Sequence, residues 1–87
     1  MVKPRALSWT VDDDGALTAL NPYEGEPESA DYASRYVVRG DERTGYVVAG
    51  EYAGAESPIG SFDDVEDAKA AAQGDADERA GVEDDPA

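Results

Sequence analysis

The side chains able to do chemistry in this chain are carboxylates and tyrosines. Asp12, Asp13 and Asp14 run together ahead of Gly15, Asp63, Asp64, Glu66 and Asp67 crowd one short stretch, and Tyr23 and Tyr32 flank a segment containing Glu24 and Glu26. Carboxylates at this density can hold a hard cation. They can work as an acid–base pair inside an apolar pocket. They can also pair with the arginines and lysines of another macromolecule.

The cation option fails on spacing. An EF-hand loop needs oxygen ligands at positions 1, 3 and 5, Gly at 6 and Glu at 12. With Gly15 at position 6, Asp14 and Asp12 fit, but Thr10 and Asn21 fall at the two ends. The cluster reads instead as an acidic turn. The acid–base option needs a pocket, and 87 residues bury too thin a core to wall a deep one. With no His and no Cys, the chain cannot build a Ser-His-Asp or Cys-His unit, a Cys/His zinc site or a disulfide. No enzyme activity and no cofactor are expected.

The third option agrees with the charge. Twenty-one acids against seven bases give a formal net charge of -14. Residues 1–44 carry nine acids and five bases, residues 45–87 twelve acids and two bases. Such an imbalance destabilises a fold by self-repulsion and offers solubility or long-range attraction in return. It disfavours direct contact with nucleic-acid phosphates and with anionic membranes. The N-terminus lacks the apolar run of a secretory signal and no stretch is long enough to span a bilayer, so a cytoplasmic protein is expected.

The elements that must position these groups are short. Residues 5–11 alternate with Leu7, Trp9 and Val11 on one face, and Asp12–Gly15 forms a turn into a second strand over 16–20. Residues 21–33, with two prolines and a glycine, read as a loop holding Tyr23, Glu24, Glu26 and Tyr32. The near-copies Ser34–Gly40 and Gly45–Tyr52 predict a central hairpin, with Tyr36, Val38, Tyr46 and Val48 on one face and Val37, Arg39, Val47 and Ala49 on the other. Residues 53–60 suit a turn and a short edge strand. Ser61 is the expected N-cap of a helix over 61–73, and Gly74 its expected stop. The expected core is Leu7, Trp9, Leu17, Leu20, Tyr36, Val38, Tyr46, Val48, Tyr52, Ile59, Phe62 and Val65. The fold class is then α+β, a four- or five-stranded antiparallel sheet with one C-terminal helix on one face. Residues 1–74 form the domain and 75–87 an acidic, disordered tail.

The span from Tyr36-Val37-Val38 through Gly45-Tyr46-Val47-Val48 to Ile59–Ala72 resembles small acidic proteins of phages and mobile elements, among them anti-CRISPR proteins and other DNA mimics. The resemblance is one of fold and charge. It implies an inhibitor whose partner is the basic surface of a nucleic-acid-binding, CRISPR-Cas-like complex. The candidate contact residues are Asp12, Asp13, Asp14, Tyr23, Glu24, Glu26, Tyr32, Asp63, Asp64, Glu66 and Asp67. The same acidity also resembles proteins of salt-loving archaea, where it maintains solubility in molar salt and implies no partner.

Overall fold

The computed structural model describes residue 3, residues 5–26 and residues 32–81. Strands β1 (Thr10–Val11), β2 (Leu17–Leu20), β3 (Ala33–Asp41), β4 (Gly45–Tyr52) and β5 (Ala55–Phe62) pair antiparallel in chain order, and helix α1 (Val65–Ala80) follows. This is the expected α+β class, with five strands.

Local chemistry sets the up-and-down order. Asp12 Oδ1 accepts the Asp14 and Ala16 amides at 2.9 Å and closes the first turn. Asp41 Oδ1 accepts the amides of Thr44 and Arg43 at 2.8 Å; these bonds hold its carboxyl below the usual carboxylate range. Gly40, at φ 122°, starts that turn where any Cβ would run into the Gly45 carbonyl. The β4–β5 turn uses Ala53 and Gly54, both at positive φ, which matches the twist of the strands.

The central hairpin divides its faces as expected. Val38 lies opposite Val48, and both are buried with Tyr36 beneath α1. On the outer face Val37 lies opposite Ala49. No helix among the described residues covers that face, yet Val37 is only 1% exposed. Arg35 and Arg39 flank it and reach over to Glu51 and Glu56, so their aliphatic stems shield it while their heads stay wet.

Several expectations are corrected. The first strand, expected within residues 5–11, is confined to Thr10–Val11. Leu20 is 76% exposed rather than core. Ala19 pairs with Tyr36 and takes the inner face, so its neighbour must point outward. Ser61 does not cap the helix, because it pairs with Val47 in β5; Asp64 is the N-cap and its carboxylate accepts the Glu66 amide at 2.8 Å. Gly74 does not stop the helix. Ala68, Ala72 and Ala76 continue a fully buried stripe at four-residue spacing, and the helix ends at Gly81, left-handed at φ 75°. Residues 75–80, expected in the tail, are helical, and residues 82–87 lie outside the described residues.

Candidate functional site

Antiparallel pairing gathers carboxylates that are far apart in sequence. Leu17 lies opposite Val38, Asp41 opposite Gly45, and Tyr46 opposite Phe62. The first turn, the β3–β4 turn and the entry to α1 therefore share one end of the sheet. Asp12, Asp13, Asp14, Asp41, Glu42, Asp63 and Asp64 are spread along that end, with Glu66 and Asp67 on the first helical turn. Two observations agree: Asp12 and Asp14 act electrostatically on Arg39, and the Asp63 carboxylate lies beside Gly45.

These acids differ in their commitments. Asp12, Asp41 and Asp64 are turned to backbone amides. Glu66 lies 3.9 Å from Lys69. Among the described residues, nothing donates a hydrogen bond to the carboxylates of Asp13, Asp14, Asp63 or Asp67, and all four are exposed.

Tyr23, Glu24, Glu26 and Tyr32 lie at the other end, between Leu20 and Ala33. Strand β3, nine residues from Ala33 to Asp41, separates the two ends by about 25 Å. The expected contact set is thus split in two. Tyr23 is only 6% exposed. Its hydroxyl donates to Asp77 at 2.6 Å and accepts the Arg5 amide at 2.7 Å. Burial first, and the Asp77 carboxylate second, raise its pKa. Tyr32 is half-buried and donates to the Tyr23 carbonyl at 2.7 Å. Both rings pin the loop, and neither stands free as an anchor for a partner.

A polar cluster among the described residues joins two expected core tyrosines to residues expected in the tail. Asp75 Oδ2 accepts the hydroxyls of Tyr36 and Tyr52, each at 2.7 Å, and the Arg79 Nε–H at 3.0 Å. The Arg79 guanidinium also lies over the Tyr52 ring, 4.4 Å from its centroid. Burial, reinforced by Asp75, pushes Tyr52 up to about 12 and raises Tyr36 as well. Protonated at neutral pH, both hydroxyls act as donors that fasten the sheet to the helix. Two residues before Asp75 on the helix, Gln73 donates to the Arg5 carbonyl at 2.7 Å and accepts the Leu7 amide at 2.9 Å, which ties the N-terminal segment to α1. The signal that reveals these residues is the Ala68-Ala72-Ala76 spacing, which carries the helix past Gly74.

Among the described residues, no group of three or more His, Cys, Asp or Glu is placed to hold a metal ion. No described helix is long and apolar enough to cross a membrane. A cleft of about 440 Å³ opens on the outer face, lined by Ser8, Thr10, Thr18, Leu20, Pro22 and Arg35 among others. No family model, curated protein or solved structure matches the chain.

Proposed function

We propose that this protein is a small acidic binding protein that inhibits a nucleic-acid-handling complex by occupying its basic surface, as an anti-CRISPR protein or similar anti-defence DNA mimic does. The observation that carries this reading is the convergence of three acidic segments on one end of the sheet. Duplex DNA presents about one negative charge per 1.7 Å of axis. A row of carboxylates along one end of the sheet offers a groove built for phosphates the same kind of partner. Asp13, Asp14, Asp63 and Asp67 are free to receive arginine and lysine side chains, with Glu66 beside them. Asp12, Asp41 and Asp64 hold the backbone that presents them. The net charge of -14 draws a basic partner from a distance and speeds encounter.

The test is binding to CRISPR effector complexes, free of target DNA, at about 0.1 M and 0.5 M salt. The reading expects affinity to fall steeply with salt, target DNA to compete, and charge reversal of Asp13, Asp63 and Asp67 together to abolish binding. Affinity indifferent to salt and to those substitutions overturns it.

A second reading is supported by the exposed Glu24 and Glu26 on the far loop and the exposed Glu78 on α1, all outside the acidic end. Carboxylates so dispersed suit a halophilic adaptor domain whose charge answers its environment. It expects stability to rise into the molar salt range, and full stability in dilute buffer counts against it.

A further inference from the structure

We infer that residues 5–9 form a releasable strap, latched to the body of the protein through a single carboxylate, that of Asp77. Among the described residues, the backbone of 5–9 makes no hydrogen bond to another backbone group, because pairing with β2 begins only at Thr10. Two side chains hold it instead. The Arg5 amide donates to the Tyr23 hydroxyl. The Gln73 side-chain amide donates to the Arg5 carbonyl and accepts the Leu7 amide, so it stands where a neighbouring strand would present a peptide group. Both holders converge on one atom. Asp77 Oδ1 accepts the Tyr23 hydroxyl at 2.6 Å and the Gln73 Nε2–H at 2.8 Å. Asp77 makes no hydrogen bond to residues 5–9 among the described residues. It is a positioning residue, which aims a loop side chain and a helix side chain at the same stretch of backbone.

The latch is slight beside what surrounds it. Burial of Leu7, partial burial of Trp9 and these few bonds hold the strap. The sheet has a continuous ladder from β2 to β5, and α1 lays Ala68, Ala72 and Ala76 on it. A segment with no ladder and little buried surface opens below the global transition. Its hinge is Thr10, where pairing with Thr18 fixes the chain. Opening changes the surface. Ala6, Ser8 and Thr10 form one wall of the 440 Å³ cleft, and Thr18, Leu20 and Pro22 line the other. Release of the strap opens that cleft through to the site of Leu7 and leaves the Gln73 amide offering a donor and an acceptor. The strap thus gates a groove from within the chain.

The experiment is amide hydrogen exchange of the full chain by NMR, with acrylamide quenching of Trp9, the single tryptophan, as a second reporter. The Arg5 and Leu7 amides should exchange about 100-fold or more faster than those of Val38 and Val48. Asp77→Ala should speed exchange at Arg5 and Leu7 by about tenfold, raise Trp9 quenching, and move the Val38 and Val48 amides far less. In a Gln73→Ala background its effect should shrink to about threefold or less, because both substitutions cut one latch. Glu78→Ala removes the adjacent, exposed acid and should leave the strap unchanged. Should far-UV circular dichroism show Asp77→Ala unfolded, Tyr23→Phe keeps the ring, cuts the link to Asp77 and carries the same expectation. Strap amides that exchange in step with Val38 and Val48 overturn the inference. So does an Asp77→Ala effect that spreads equally over the hairpin, or one that persists in full without Gln73.

Discussion

The hydroxyl of Tyr36 meets the carboxylate of Asp75 at 2.7 Å across 39 positions of sequence, and the same carboxylate oxygen takes the hydroxyl of Tyr52. One acid on the helix thereby satisfies two tyrosines of the sheet. Removing it leaves both hydroxyls in a desolvated site without their acceptor, the costly direction of hydrogen-bond loss. Asp75→Ala should destabilise the fold by about 2 kcal/mol, and Tyr36→Phe, which leaves Asp75 its other partners, by about 1 kcal/mol. Urea denaturation followed by circular dichroism measures both.

Gly74 and Gly81 should respond to alanine with opposite signs. Gly74 lies inside α1 with open space where a Cβ would sit, so Gly74→Ala should stabilise by about 1 kcal/mol. Gly81 is left-handed at φ 75°, so Gly81→Ala should cost about 1 kcal/mol. Thermal unfolding should show shifts of several degrees, up for the first and down for the second. Were the helix to end at Gly74, Gly74→Ala would lower the midpoint and Gly81→Ala would barely move it.

Alkali should loosen the molecule. Tyr36, Tyr52 and Tyr23 all have pKa values raised above the ordinary 10.0 by burial and by Asp75 or Asp77, Tyr52 to about 12. A raised folded pKa means that the protonated form is preferred in the native state. The associated stability is fully present below pH 10 and is lost as pH climbs through the folded values. Denaturation midpoints measured from pH 8 to 12 should stay level and then fall above about 10, together with the rise of tyrosinate absorbance.

The acids at the crowded end should separate by role. Asp64→Ala removes the N-cap and should cost about 1 kcal/mol. Asp13→Ala or Asp67→Ala should change stability by less than about 0.5 kcal/mol, with relief of self-repulsion most visible at low salt. Equal losses at all three sites, measured by urea denaturation, would show that Asp13 and Asp67 have structural partners.

Much of the fold is legible along the chain because its cues are local. The paired Tyr-Val-Val segments, the Asp-Gly turn and the acidic helix entry each act over a few residues. Leu20 was not legible: Leu17 and Leu20 differ in parity, so one of them must leave the core, and only the pairing of Ala19 with Tyr36 decides which. The helix end was hidden because Gly74 is a strong local stop signal, while Ala68, Ala72 and Ala76 matter only once a sheet lies beneath them. The sequence leaves the loop tyrosines as either partner anchors or pins of the loop, because Asp77, which binds Tyr23, is 54 positions away.

By itself, then, the order of residues determined the number and order of the strands around the central hairpin, the presence of a single C-terminal helix, the charge and the absence of thiol and imidazole chemistry, since these follow from composition and from near neighbours, whereas the ends of the first and last strands and of the helix did not. The tertiary structure alone decided that Asp12–Asp14, Asp41, Glu42 and Asp63–Asp67 share one end while Glu24 and Glu26 do not. It also decided that Asp75 and Asp77 fasten the helix and that Leu20 and Val47 share an uncovered face. The reason is geometric: antiparallel pairing reverses the chain at every turn, and whether distant residues meet or part depends on how many reversals lie between them.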